Sequence, residues 1–382
     1  MNTKSEEIVL KGFTFSFYMT MCILVTFFPL YFDYKGFSKI EIGMLYSVGP
    51  MIGIFSNLAW GLLSDKYQTV KKIMILLFTG QVVAAYLIFH TDLFALLYVF
   101  VGVFFFFQQP VNSLNDSQLM LSVSQSGRSY ASFRIWGSIG FAFAAGFFGL
   151  LLKLYGSGLT YTLTAVCIFI SLAITLFLKD ARSSQSKIEF GGIFKIISSR
   201  KFLWFLFLVM TMSIAHRMND GFLALYLRQL GAPDTIIGYA WMASALSEIP
   251  VFFLLSRFGH RFKELPLMAF AGLIYSVRFL IMGYVQNPHW VVWIQLMHSF
   301  SFGIFLFTAI RYMGQLVPDE YRSSGQAIFT VTWSSIAGLI SGVVGGWIFD
   351  VWGGSVLYLW GSLLSLLAFI GFLVTHLMQK EA

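Results

Sequence analysis

Eight side chains that carry charge, or can acquire it, fall inside long apolar stretches of this sequence: Asp116, Arg134, His216, Arg217, Asp220, Glu248, Arg278 and His298. An ionisable group in a hydrocarbon setting is costly and marks binding, ion coupling or pairing. Asp116 and Arg134 lie nine residues on either side of a short polar stretch centred near residue 125. If the flanking segments are antiparallel helices, both side chains sit roughly 13 Å from the turn, abreast of each other near mid-span. An acid and an arginine so placed can lock two helices as an ion pair or share a polar solute. Trp136 and Phe141 follow Arg134 on the same helix. They offer an aromatic face to a sugar ring or an aromatic acid, or they pack.

Arg217 and Asp220 are three residues apart and share a helical face, so they can pair. His216, next to Arg217, is expected to point elsewhere. Glu248 precedes Ile249-Pro250 and has no opposite charge nearby in sequence. An acid in that position is a candidate proton carrier, with Arg278 as its expected stabiliser. His298 can relay a proton, hydrogen-bond a solute, or be a satisfied structural residue.

The elements that must position these groups are membrane spans. The chain of 382 residues is 58% hydrophobic and 11% charged, with a mean hydropathy of +0.77. Apolar runs of about 20 residues, enough to cross a bilayer as helix, recur throughout. We place them at 8–32, 40–62, 73–90, 94–121, 129–153, 159–178, 202–228, 235–256, 266–286, 290–314, 324–349 and 354–377. The expected fold is therefore an all-α membrane protein of twelve transmembrane helices. Short sequence echoes divide it in two. Ile42-Gly43 returns as Ile237-Gly238, and Trp136-Gly137-Ser138-Ile139 returns as Trp333-Ser334-Ser335-Ile336. Offsets of 195 and 197 residues are close to half the chain, as expected for two pseudo-symmetric six-helix halves enclosing a solute site. The domain boundaries that follow are 1–180, a linker at 181–200, and 201–382.

Eighteen of the 25 Lys and Arg fall on the side of the termini, four on the other and three within spans, which puts both termini in the cytoplasm. The linker carries Ser183-Ser184-Gln185-Ser186 and a short amphipathic piece around Ile193 to Ile197, either a flexible tether or a plain connector. The N-terminal stretch has no basic leader region and reads as a retained first helix. Cys22 and Cys167 lie inside apolar spans and read as inert packing residues. The net charge of +8 resides in loops, so it does not point to nucleic acid. No histidine-rich metal cluster, nucleophile elbow or aspartate dyad suggests an enzyme or a metal site.

Two sets of residues carry a resemblance. Gly61-Leu62-Leu63-Ser64-Asp65-Lys66, followed by Lys71-Lys72, resembles the loop signature of the major facilitator superfamily, although Tyr67-Gln68 stand where a glycine is usual. Gly61 would let helices approach closely, and Asp65 would cap a helix or pair with a base such as Lys66, forming a gating loop. The matching second-half loop, Ser256-Arg257-Phe258-Gly259-His260-Arg261, has arginine in place of the acid. The acid at 116, Arg134-Ile135-Trp136-Gly137-Ser138, Ala215-His216, Gly221-Phe222, Gly238-Tyr239 with Trp241, Glu248 and His298 resemble the phenylpropionate permease family. The Asp116 and Arg134 spacing, Pro29, Ser276-Val277-Arg278 and Leu296-Met297-His298 resemble, more distantly, the lactose permease family of oligosaccharide:proton symporters.

This resemblance implies a proton-coupled symporter of a small organic solute, working by alternating access, with the proton gradient as its driving ion and no cofactor. Asp116, Arg134, Trp136, Phe141 and His298 would bind solute. Glu248, Asp220, Arg278 and Arg217 would couple protons. Ser301 falls where the lactose permeases carry a coupling acid, Phe141 where they carry a stacking tryptophan, and Arg217 where they carry an acid. A galactoside is therefore disfavoured; an aromatic acid, another sugar or a nucleoside remain. An exporter of amphiphilic compounds and a non-transporting sensor are the alternatives. The expected setting is a monomer spanning the cell membrane, with lipid and a small molecule as its partners.

Overall fold

A computed structural model describes residues 3–126, 130–180, 199–318 and 321–381, and all its regular structure is helical among the described residues. Eleven helical runs there are long and apolar enough to cross a membrane: α1 Ser5–Tyr34, α2 Lys39–Tyr67, α3 Lys71–Phe89, α4 Phe94–Leu119, α5 Ser132–Tyr155, α6 Ser157–Thr175, α7 Arg200–Gln229, α8 Asp234–Leu255, α9 Glu264–Tyr284, α10 Pro288–Leu316 and α11 Ser324–Gln379. The protein is thus an integral, multi-pass, all-helical membrane protein. At 56 residues, α11 would be about 84 Å long if straight, nearly three bilayer cores. It is broken at Gly353, whose φ of 82° and ψ of 172° are open to glycine and strained for other residues. The break falls between the two spans expected at 324–349 and 354–377. Most of the 181–200 linker, with its serine run and amphipathic piece, lies outside the described residues; Ser199 caps α7 by accepting from Phe202 N–H.

The helices before the linker pack on one another: α1 on α5 and α6, α2 on α4, and α3 on α4 and α6. Those after it do the same, α11 lying along α7 and α9 and α10 lying beside α9. Between the two sets, α2 meets α11 and α5 meets α8, with a smaller contact of α1 on α7. Both seams are built on glycine. A methyl added at Gly43 would collide with Gly342 O and Gly346 Cα; one added at Gly238 would collide with Ala145 O and crowd Gly149 Cα. Gly43 and Gly238 are the echo 195 residues apart. Their partners, Gly342 and Gly346 against Ala145 and Gly149, are 197 apart, the offset of the tryptophan echo. The sequence repeat is therefore a repeat of seam contacts, in which missing side chains let backbones touch.

The two ends of the molecule differ. At the end holding Lys39 and Asp234 the seams are closed. Ser38 and Glu41 form a reciprocal cap on α2, and Asp350 accepts from Lys39 N–H at 3.2 Å across the seam. Lys39 also pairs with Asp33, and Asp234 with Arg228, so the same two positions 195 residues apart carry ion pairs of exchanged sign. Lys35, between spans, donates to Asp92 at 2.7 Å, and that bond raises its pKa. Beyond Pro50, which touches Gly338, α2 turns Met51, Ile54, Phe55 and Leu58 outward; α5 exposes Trp136 and α8 exposes Leu246. The α2 face that forms the seam thus opens toward the Asp65 end.

At that end two expectations are corrected. Gly61 has open space where a side chain would go, so it is not a close-approach glycine. Asp65 does not cap the next helix. Asp180 does, accepting from Thr69 Oγ1 at 2.6 Å, Val70 N–H at 3.0 Å and Lys71 N–H at 3.1 Å. Arg311 of α10 ties the second loop, donating to Glu264, to Gly259 O and to Phe262 O.

Candidate functional site

Three of the helices that supply site groups depart from α-geometry, two of them where they carry those groups. In α10 a 3₁₀ turn at Gln295–Met297 is followed by a π-turn at Ser299–Gly303, bracketing His298. In α11 a π-turn covers Val331–Ile336, including Trp333 and Ser334, and in α1 one covers Ile23–Phe27. Such turns re-aim side chains at the cost of regular hydrogen bonding and are frequent at functional sites.

Arg278, on α9, is completely buried. Its guanidinium donates to Gln295 Oε1, to Ser301 Oγ at 3.4 Å and to His298 Nδ1 at 3.1 Å. Ser244 of α8 donates to the same Gln295 oxygen at 2.9 Å. The other imidazole nitrogen, His298 Nε2, lies 3.1 Å from Glu248 Oε1. Arginine has no acceptor, so His298 Nδ1 must accept, and the ring proton must sit on Nε2 and be donated to Glu248. The tautomer is fixed by geometry. Glu248 is thus held by His298, and Arg278 acts on it through the imidazole rather than by direct pairing. The expectation of Arg278 as its direct stabiliser is corrected: the partner of Glu248 is His298 of α10, 50 residues away, with Arg278 behind it.

His216 is also placed differently from expectation. It shares a face with Asp220, at 3.3 Å, and meets Tyr275 OH at 3.0 Å. Residues four apart on a helix are neighbours, as are those three apart. Arg217 lies 3.6 Å from the same carboxylate and donates to Ser334 Oγ at 3.1 Å.

On the other side of the seam the guanidinium carbon of Arg134 stacks 4.3 Å from the ring centre of Tyr18. Gly137 makes that possible, since a methyl there would stand 2.7 Å from the Tyr18 ring and 2.8 Å from an Arg134 nitrogen. Tyr18 OH donates to Asn112 at 3.4 Å, and the charges of Arg134, Asp116 and Glu248 all reach it. Asn112, Ser113 and Ser117, in the last third of α4, are exposed, and Asp116 and Arg134 are half-buried. Exposed polar groups within a span line a wet crevice.

The crevice ends at an aromatic plug. Antiparallel α5 and α8 bring Gly149 against Asp234 and Gly238, Gly146 against Met242, and Phe141 against Trp241, ring centres 5.9 Å apart. Two turns further along the same register, Arg134 comes level with Glu248. The structure thus brings Asp116, Arg134, Glu248, Arg278 and His298 toward one region, with Arg217 and Asp220 on adjoining α7. It puts Phe141 in the seam, turns Trp136 outward at 39% exposure, and leaves Gly61, Asp65 and Lys66 at a distant end. Tyr18, Asn112, Tyr275, Gln295 and Ser244 were not picked out from sequence. Gln108, Asn112, Asn115 and Asp116 recur at helical spacing within an apolar span, a signal that was there to read. No group of three or more His, Cys, Asp or Glu is placed to hold a metal among the described residues.

Comparison with known proteins agrees with this architecture. Residues 7–360 match the model of the MFS_1 like family. Maltose permease of Geobacillus stearothermophilus is 24% identical over 356 residues, covering 90% of this chain and 87% of the permease. A probable 3-phenylpropionic acid transporter of Escherichia coli strain K12 is 22% identical over 303 residues, covering 78% of this chain and 80% of the transporter. The crystal structure of the nucleoside transporter NupG superposes with a TM-score of 0.82 at 17% identity, covering 98% of this chain and 99% of that one.

Proposed function

Since the chain belongs to the MFS_1 like family, and so is a membrane transporter rather than an enzyme, we propose that it is a proton-coupled symporter of a small organic anion. The observation that carries this is the chain Arg278 to His298 to Glu248. It presents a single titratable carboxyl, backed by a neutral imidazole and a buried cation, level with Arg134 across the seam.

Charge balance indicates the solute class. The mid-span guanidiniums of Arg134, Arg217 and Arg278 are matched by the carboxylates of Asp116, Asp220 and Glu248. Protonating Glu248 leaves one positive charge, which a monoanionic solute cancels. Either ligand alone leaves an uncompensated charge in a crevice that must close against lipid, which is costly. The two together cross as a neutral load. Arg134 would take the anionic group, with Asp116 and Asn112 orienting it, and His298 Nε2–H and Glu248 would face it. An aromatic carboxylate fits best, because the Tyr18 ring lies against that cation and the Phe141 and Trp241 rings pair two turns further along the seam.

The rest of the reading follows from this cycle. Gly353 is the turn between an eleventh and a twelfth span, giving two six-helix halves at 1–180 and 201–382 joined by the linker. The lysine and arginine bias puts both termini, and the Asp65 end, in the cytoplasm of a cell-membrane monomer. The open end is then cytoplasmic, and the halves rock about the glycine seams to expose the site alternately.

The test is uptake into proteoliposomes of 3-phenylpropionate, maltose and uridine, with an inward proton gradient and with a protonophore. Uptake of 3-phenylpropionate that collapses with protonophore is expected. Uptake of all three unchanged by protonophore would refute coupling. Preference for uncharged maltose or uridine would refute the anion assignment. Extrusion of amphiphilic cations would favour an exporter.

A further inference from the structure

His216 and His298 lie close together, yet their surroundings differ in chemistry. Their ring centres are 5.9 Å apart, and both stack on Phe302, at 4.6 Å and 5.0 Å. On His298, Nδ1 faces an Arg278 nitrogen that can only donate. A second proton there would set N–H against N–H and break the chain to Glu248. On His216, Nδ1 faces the hydroxyl of Tyr275 and Nε2 faces Asp220. A phenol hydroxyl donates in one rotamer and accepts in another, and an ionised carboxylate accepts. Either protonation state of His216 therefore meets a compatible group on each nitrogen, a hydroxyl that can donate or accept at Nδ1 and a carboxylate at ion-pair distance from Nε2.

From this difference we infer that His216, and not His298, is the imidazole that takes a second proton, forming a proton site separate from Glu248. The inference rests on the proton-coupled reading above for its role in transport, but not for the order in which the two rings protonate.

The charged and titratable groups facing His216 set when it fills. Asp220 on its own helix favours the imidazolium. Arg217 on that helix, which shares the Asp220 carboxylate, and Arg278 on α9, bonded to the neighbouring His298, carry charge of the sign that repels it; α9 also supplies Tyr275, α10 supplies His298 and, through it, Glu248, and α11 supplies uncharged Trp333. Of the two opposing cations, Arg278 is enclosed and engaged with three side chains. Arg217 is about a third exposed, and its Nε has no partner. An organic anion that reached Arg217 would neutralise the nearer cation and favour the proton on His216. Solute binding and proton uptake would then be linked at a second point.

The test is nitrogen NMR of histidine-labelled protein in lipid nanodiscs, titrated from about pH 8 to pH 5, without and with 3-phenylpropionate. His216→Gln and His298→Gln assign the signals. His298 should keep a single proton on Nε2 while His216 gains its second. With 3-phenylpropionate bound, the His216 midpoint should rise by about one pH unit, a tenfold gain in proton affinity. Tyr275→Phe, which keeps the ring and removes only the switchable hydroxyl, should lower that midpoint by a similar amount. A doubly protonated His298 preceding His216, or a Tyr275→Phe protein that titrates as the parent does, would overturn the inference. The order of titration is decided in the ligand-free protein, so failure of 3-phenylpropionate to bind would refute the solute assignment without altering which ring protonates first.

Discussion

In the proposed cycle Glu248 and Arg134 divide the labour of the crevice, and each can be removed with a separate signature. Glu248→Gln keeps an acceptor for His298 Nε2–H but can no longer lose a proton. It should therefore bind 3-phenylpropionate and exchange it in counterflow, while losing gradient-driven accumulation and the pH dependence of binding. Accumulation at the parental level would show that Glu248 is not the coupling acid. Arg134 is held by the face of Tyr18, a contact of the kind worth about 0.5–2 kcal/mol. Tyr18→Leu should weaken binding of 3-phenylpropionate by about 2- to 30-fold, whereas Tyr18→Phe, which keeps the ring, should fall much closer to the parent. Calorimetry on the purified protein distinguishes the two. Equal losses would mean that the bond to Asn112, not the stacked ring, positions the guanidinium.

Helices position these groups through a few backbone-level contacts. Gly238 sits where any side chain meets Ala145 O, so Gly238→Val must push α5 and α8 apart at the closed end. The expected result is a shift toward the conformation open at that end, seen as faster alkylation of a cysteine placed at Tyr239, with transport slowed. Unchanged labelling would show that the seam is not what holds that end shut. Asp180 supplies three acceptor contacts to the start of α3. Asp180→Ala should cost about 0.5–2 kcal/mol of stability, with Asp180→Asn losing much less, read from thermal unfolding in detergent. Such a loss is structural and should leave the affinity for 3-phenylpropionate unchanged; a weakened affinity would tie the loop to the site.

Across the whole molecule, one end is closed by glycine seams and ion pairs while the other opens, so the crevice communicates with one side of the membrane. A cysteine introduced at Ser113, with buried Cys22 and Cys167 replaced by alanine, should react with an impermeant thiol reagent from the cytoplasmic side and be shielded by bound 3-phenylpropionate. Reaction from the opposite side alone would invert the topology proposed here. The exchanged-sign pairs, Lys39 with Asp33 and Asp234 with Arg228, occupy equivalent places in the two halves. Each pair is neutral in itself, so these two equivalent positions carry no uncompensated charge in either half.

Hydropathy and spacing alone determined that the chain is a bundle of spans, that short motifs echo at about half its length, and that charges at 116, 134, 217, 220, 248 and 278 fall inside apolar segments. These are properties of a short window of chain, because helix length, apolar content and echoes are set by local residue order. Partnerships are not. That Glu248 belongs to His298, that Asp180 rather than Asp65 caps α3, and that Gly43 and Gly238 but not Gly61 lie against a neighbouring backbone were decided by which helices lie side by side. His216 reaches Tyr275 only because α7 packs near α9, and its contact with Asp220 depends on how far the helix is rotated toward the interior. Hydrophobic burial in lipid fixes that a span crosses, but it is nearly indifferent to rotation and neighbour choice. Those are settled by close backbone packing and hydrogen bonding between segments far apart in sequence.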